Sequence, residues 1–349
     1  MIFWLSKTLQ KFRRSKKVGS LAVLLTLLFG LVGNSLTFYY FEKPHHSELS
    51  WADAFWYSII SVTTIGYGDF SASTLGARVG TLVFIILIGL SAFSAFLGLL
   101  VEGMMQINFK ELHGLAKILS QDHILIINFP DSGRVEQIIH ELRNDPDYKD
   151  RDVVVVSDLI ETLPFELPNV FFAKGSPLQI DTLERAGIKR ARMAIVLSDA
   201  RDASSDGLVA AIISLIEHLH PQIKTVAECL DDRHAVLFRS TQCDSIVFSQ
   251  QVANNLIVQE TQDEGIASLV AFLTQNTGSS TLYSCRVEEP RDESYSEVAK
   301  RLIDRKANLL AVRREDQFHL QLDSLRPKKG DLVVYVDEQR RPWKALTRA

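Results

Sequence analysis

The sequence predicts two structural classes in one chain: an all-α membrane module at the N-terminal end, then a doubly wound α/β domain carrying a small α+β unit. Three observations carry this reading. Residues 18–40 and 79–101 hold no charge, and each is long enough to cross a hydrocarbon core of about 30 Å as a helix. Residues 51–61 (WADAFWYSIIS) are apolar and aromatic but too short to span, which reads as a re-entrant helix. From Glu102 onward charges are frequent, and strand-like runs alternate with helix-like ones. The averages hide this division, because a net charge of −4 and a hydrophobic fraction of 46% suit an ordinary globular protein.

Residues 1–17 mix Ile2, Phe3, Leu5, Leu9 and Phe12 with six basic residues, a pattern suited to a helix on the inner membrane face. The basic cluster Lys7, Lys11, Arg13, Arg14, Lys16 and Lys17 places this end in the cytoplasm, and two crossings return the rest of the chain there. The first run is too long for the core of a signal peptide, and no small-residue cleavage site follows it. Cys229, Cys243 and Cys285 show neither disulfide nor zinc spacing.

Between the spans, SVTTIGYGDF follows the short helix directly. Irregular backbone at membrane depth must be buried in protein or line a watery path. To aim successive carbonyl oxygens at one axis, the backbone must alternate between right- and left-handed regions, and glycine takes positive φ without a Cβ penalty. Gly66 and Gly68 fit that need, with Thr64, Ile65, Gly66 and Tyr67 as carbonyl donors and the Thr64 hydroxyl as a further oxygen. TIGYGD resembles the filter signature of potassium channels, which implies a K+-selective filter over Thr63, Thr64, Ile65, Gly66, Tyr67, Gly68 and Asp69, with K+ held at Thr64–Tyr67 of four copies. Trp56 and Tyr57 resemble the aromatic cuff around it. Many relatives carry a proline shortly after the aspartate; here the run is DFSASTLG, a departure at the outer mouth. On the second span the resemblance implies a hinge at Gly89, with close helix packing as the alternative. It also implies a narrow inner entrance at Ser94. Glu102 would form a carboxylate ring or simply be the first solvated residue.

Residues 103–120 read as a polar linker. Strands are expected at 123–128, 152–156, 169–173, 193–197, 224–229 and 244–248, with helices at 134–144, 177–187 and 207–219. GSPLQIDTLERAGIKRARMAIVLSD resembles the central segment of RCK domains, the regulators of K+ conductance related to the TrkA N-terminal fold. The whole chain thus resembles the two-span, calcium-gated prokaryotic potassium channels of the MthK type. That resemblance implies a pore domain at 18–102, a Rossmann-like lobe at 121–249, a helical crossover at 250–274 and a C-terminal subdomain at 275–349. It also implies a multi-pass cell-membrane protein, a homotetramer with membrane lipid around it, and a gating ring, in some relatives octameric through separately translated domains. Met104 and Met105 stand where an internal start would serve. Nothing points to nucleic acid.

The gating ligand stays open. A dinucleotide site needs G-x-G-x-x-G after the first strand; Asn128-Phe129-Pro130-Asp131-Ser132-Gly133 keeps only the last glycine, which argues against NAD, although Asp158 stands where a ribose is held. In calcium-gated relatives acids end the fourth and fifth strands. Here Leu197 and Leu230 replace two of them, leaving Asp199, Asp202, Glu228, Asp231 and Asp232 as candidates, with Ca2+ at Asp199 and Glu228. The competing functions are a membrane-anchored dinucleotide-dependent oxidoreductase and a Trk-like transporter component. No acid–base pair or nucleophile motif supports an enzyme, and one filter rather than four requires self-assembly.

Overall fold

The computed structural model describes residues 16–347, so all but the last two residues of the expected interfacial segment at 1–17 lie outside the described residues. The chain divides into two compact units, residues 1–109 and 110–349.

In the first unit, helix α1 (Lys16–Glu42) and helix α3 (Leu75–Leu112) are long and apolar enough to span a membrane. Between them stands the short helix α2 (Trp51–Val62). Its start is fixed by a reciprocal cap: Asp53 N–H donates to the Ser50 hydroxyl, and Ser50 N–H donates to the Asp53 carboxylate at 2.9 Å. Leu21, Leu24, Leu25 and Leu28 of α1 are exposed, as are Leu82, Ile86, Leu87 and Leu90 of α3, a surface that suits lipid. The inward faces combine an apolar cluster of Phe38, Leu49, Ala54, Tyr57 and Ala77 with buried polar ties. Asn34 and Ser35 both donate to the Ser58 hydroxyl, at 2.8 and 2.9 Å, tying α1 to α2 in a buried position.

Helix α3 departs from the expected span at both ends and inside. It begins at Leu75, continues past Val101 to Leu112, and is π-helical over Thr81–Gly89. The stretch after Glu102 is rich in Met, Gln, Lys, Glu and Leu, good helix formers that carry the helix into the segment read as linker.

The second unit begins with a six-stranded parallel sheet of order β3-β2-β1-β4-β5-β6. The strands are β1 His123–Ile127, β2 Val153–Ser157, β3 Val170–Lys174, β4 Ala191–Val196, β5 Lys224–Cys229 and β6 Ser245–Phe248. Helices α4 (Ser132–Asn144), α5 (Ile180–Arg185) and α6 (Ser205–Leu219) make the crossovers. The strands are apolar without alternation because both faces are covered. Ile124 and Ile126 enter one core with Val135 and Ile139, whereas Leu125 and Ile127 enter the other with Ile212 and Ile216. The chain order reverses between β1 and β4, the position where doubly wound sheets open a crevice beyond the carboxyl ends of their strands.

Helices α7 (Ser249–Gln262) and α8 (Ile266–Thr274) follow and bury no residue. An antiparallel sheet of order β7-β10-β8-β9 completes the unit, from β7 Thr281–Arg286, β8 Asn308–Arg314, β9 Gln317–His319 and β10 Leu332–Asp337. Helix α9 (Tyr295–Ile303) packs Tyr295, Val298 and Leu302 onto it, beside Trp343 of helix α10 (Trp343–Leu346).

Candidate functional site

The segment after α2 is built from the helix outward. Thr63 N–H donates to Ile59 O, Thr64 N–H to Ser61 O, and both Ile65 and Gly66 N–H to Ile60 O, at 3.0–3.2 Å. These bonds satisfy the helix end and start the following backbone in a fixed direction. The φ angles then alternate in sign: Thr64 is at +62°, Gly66 at +55° and Gly68 at +80°, with the residues between them negative. This is the alternation that turns successive carbonyls to one side. Thr64 is the residue the sequence did not mark, since it takes a left-handed conformation despite its branched side chain. The Thr63 hydroxyl is spent on Ile59 O at 2.8 Å, whereas the Thr64 hydroxyl has no partner in this chain among the described residues.

Trp56 braces the far end of this strand. Its Nε1–H donates to Asp69 Oδ2 at 2.8 Å, and its ring stacks on Tyr67 with centroids 6.0 Å apart. Tyr57 does not share that role. It is buried, stacks on Phe38 of α1 at 4.1 Å, and its hydroxyl meets Thr81 at 3.3 Å. The helical period turns adjacent residues about 100° apart, so only Trp56 faces the filter segment.

Gly89 is buried at the end of the π-helical stretch. A Cβ there would stand 2.8 Å from Phe84 O and 3.0 Å from Val62 Cγ2, so its lack of a side chain lets α3 lie against the end of α2. Gly30 of α1 has the same character, with Phe84 O 2.9 Å from its Cβ position. Ser94 and Glu102 are exposed on α3, and Glu102 accepts from Gln106 Nε2 at 2.8 Å.

In the second unit the candidate ligand-binding acids lie at the carboxyl edge of the parallel sheet, and Asp199, Asp202, Glu228 and Asp231 each have a partner. Glu228 closes β5 and is buried; it accepts from Arg134 Nη2 and the Ser249 hydroxyl at 2.5 Å, and from Ser198 N–H at 2.9 Å. Asp199 is gripped by the Arg201 guanidinium at 2.7–2.9 Å, and these hydrogen bonds hold its carboxyl at about 2. Asp231 is gripped in the same way by Arg233, which keeps it well below the usual carboxylate range. Asp202 caps its own turn by accepting from Ser204. Asp158 is exposed after β2, three strand spacings or about 14 Å from β5. Among the described residues no three acid, His or Cys side chains gather where they would hold a metal ion. Asp199 and Glu228, expected as a Ca2+ pair, each lie against an arginine, Arg201 and Arg134.

Asp206, in the first turn of α6, was not foreseen. It accepts from Leu230 N–H, Asp231 N–H, the Ser198 hydroxyl and His234 Nδ1 at 2.8–3.1 Å. Burial alone would raise its pKa, but these donors hold it below its ordinary value. The repeated Asp-x-Arg spacing (Asp199/Arg201, Asp231/Arg233) was the available signal for the local pairs; Arg134 and Glu228 are too far apart in sequence to leave one. The turn after β1 also differs from a dinucleotide cradle. Asp131 caps α4 by accepting from Arg134 N–H at 2.9 Å, Asn128 (φ +73°) donates to Leu197 O at 2.7 Å, and Arg201 donates to Pro130 O at 2.5 Å.

Residues 21–106 match the family described as ion channel, and residues 119–227 match the calcium-activated potassium channel slowpoke-like RCK domain. The chain is 25% identical over 295 residues to the calcium-gated potassium channel TvoK of Thermoplasma volcanium, covering 80% of this chain and 79% of TvoK. It is 23% identical over 249 residues to the protein of Bacillus subtilis described as "Putative potassium channel protein YugO", covering 70% of this chain and 72% of YugO. The human SLO3 gating ring superposes with a TM-score of 0.50 at 14% identity, over 62% of this chain and 44% of that one, which shows the fold. Two apolar spanning helices, a short helix between them and a parallel-sheet domain behind define a class: an ion-channel module followed by an RCK domain. The chain is thus similar to two-span potassium channels that carry an RCK domain.

Proposed function

We infer that four copies of the chain form one K+ pore, with the carbonyls of Thr64, Ile65, Gly66 and Tyr67 and the Thr64 hydroxyl replacing the water shell of the ion. The observation that carries this is the alternation of φ from Thr64 to Gly68 directly after α2. Trp56, through Asp69 and Tyr67, keeps that backbone from collapsing when no ion fills it. Gly89, Ser94 and Glu102 follow along α3 as the moving and entrance-lining part of the pore, with Gly89 packing closely in the state described here. Both ends of the chain lie in the cytoplasm of a cell-membrane protein. The RCK units form a ring, completed to eight domains if further copies are supplied separately.

Ligand binding to the ring gates the pore. A ligand can shift the open–closed equilibrium only by its difference in affinity for the two states. TvoK is described as calcium-gated, so Ca2+ is the first ligand to test. The arginines on Asp199, Glu228 and Asp231 predict that Ca2+ does not act through those carboxylates. The reading assigns the chain no chemical reaction. The test is Rb+ uptake into liposomes by the full chain and by a chain ending at residue 120, with Ca2+, Mg2+, nucleotides and pH varied on the cytoplasmic side. The full chain should answer one of these and the short chain none; a ligand response kept by the short chain would refute gating by this unit.

A further inference from the structure

Helix α1 meets α2 through hydrogen bonds at a place where apolar contact would also hold them together. Asn34 and Ser58 are completely buried, and Ser35 nearly so. The Ser58 hydroxyl accepts from Asn34 Nδ2 at 2.8 Å and from the Ser35 hydroxyl at 2.9 Å, and it donates to Ala54 O at 2.9 Å. Its one donor and two acceptor positions are thereby filled. Phe38 and Ala54, one turn away on the two helices, belong to the apolar cluster at this contact. Asn34 Oδ1 has no partner among the described residues, and an unpaired buried acceptor is a cost. A leucine, branched at the same atom, would avoid it. What the amide supplies and a leucine cannot is direction: a hydrogen bond fixes distance and angle, whereas apolar contact fixes neither.

Direction matters at this position because the filter segment hangs from the next residues of α2. Ile59 O accepts from Thr63 N–H at 3.0 Å, and Ile60 O accepts from Ile65 and Gly66 N–H at 3.0 and 3.2 Å. A rotation or slide of α2 against α1 would carry these carbonyls with it. The other contacts nearby restrain such a movement weakly. Tyr57 stacks flat on Phe38, and the Val62 methyl lies against Gly89 of α3; both are surfaces that slide. We propose that Asn34 and Ser58, supported by Ser35, are positioning residues for ion selection: their bond sets the rotation and depth of α2, and the Ile59 and Ile60 carbonyls pass that setting to Thr63, Ile65 and Gly66. Neither side chain touches an ion. The stranded Oδ1 of Asn34 is the cost of this alignment, and it marks a contact that departs from the best packing where function needs a fixed geometry. The proposal rests on the filter reading above.

The test uses the full-length channel, and two quantities are read: the K+/Na+ permeability ratio in planar bilayers, and the melting temperature of the oligomer, followed by size exclusion after heating. Ser58→Ala strands the Asn34 amide, so the melting temperature should fall and the ratio should fall about tenfold. Ser35→Ala removes one of the two donors to Ser58 and should lower the ratio by less. Asn34→Leu combined with Ser58→Ala strands no polar group, and replacing both partners of a buried bond by apolar groups is nearly neutral for stability. The melting temperature of this double variant should return toward wild type while its ratio stays low, because the contact has lost its direction. An assembled Ser58→Ala channel with an unchanged ratio overturns the proposal. So does a double variant whose ratio recovers together with its melting temperature, since the bonds would then serve stability alone. Where Ser58→Ala does not assemble, the double variant decides by the same two readings. A wild-type channel that does not discriminate K+ from Na+ removes the filter reading itself, and this result is seen before any substitution is made.

Discussion

Replacing Gly66 by alanine separates torsional strain from steric clash. At φ +55° a Cβ on Gly66 meets no atom of its own chain within 4 Å, so the penalty is the intrinsic one for an L-residue in the left-handed region, about 1–2 kcal/mol. In the proposed four-subunit filter it is incurred four times, about 4–8 kcal/mol in all if the subunits act independently. At about 1.4 kcal/mol per factor of ten, the conducting conformation loses three to six powers of ten against any filter state without the strain. The assay is Rb+ uptake into liposomes, with size exclusion to show that Gly66→Ala still forms the wild-type oligomer. Uptake should fall below detection while assembly is unchanged. Uptake within a few-fold of wild type would mean that Gly66 does not need its left-handed backbone for conduction.

Other substitutions probe other parts of the account. Gly89→Ala puts a methyl 2.8 Å from the Phe84 backbone oxygen of the same helix and 3.0 Å from Val62 of α2; overpacking of this kind costs about 1–3 kcal/mol, and the heat stability of the oligomer should drop, whereas an unchanged melting temperature would show that α3 does not lie this close to Val62. Arg134→Gln leaves the buried Glu228 carboxylate without its counter-charge. Because Arg134 is 35% exposed, the loss is set at about 1–3 kcal/mol rather than the larger value for a fully buried pair, read as a shift in urea midpoint. Asp199, held at about 2 by Arg201, has a folded pKa below its unfolded value of about 3.9. Its contribution is therefore complete above that unfolded value and is lost as pH falls toward 2. Asp199→Asn should be less stable than wild type near neutral pH, with the gap closing as pH falls through about 2, and a gap that does not close on acidification would show that the ion pair is not its source.

Much of this architecture was legible because it depends on local patterns. Uncharged length marked α1 and α3, and the apolar runs Ile124–Ile127 and Val153–Val156 marked strands covered on both faces. Gly66 and Gly68 announced positive φ because glycine is the residue that takes it freely. What was not legible depends on partners distant in sequence. Tyr57 looked equivalent to Trp56 until Phe38 and Thr81 claimed it. The acids at the carboxyl edge of the sheet looked like cation ligands, because nothing near Glu228 in the sequence points to Arg134, 94 residues away. The π-helical stretch over Thr81–Gly89 has no periodic signature in the sequence. Thr64 carries a conformation that favours glycine, which only the hydrogen bonds back to α2 make visible.

The central claim is that backbone oxygens from Thr64 to Tyr67 select the ion that passes. The reversal potential of the purified chain in a planar bilayer, with K+ on one side and Na+ on the other, tests it most directly. A potential close to the K+ equilibrium value is expected. A reversal potential near zero for an intact, conducting wild-type oligomer would contradict it.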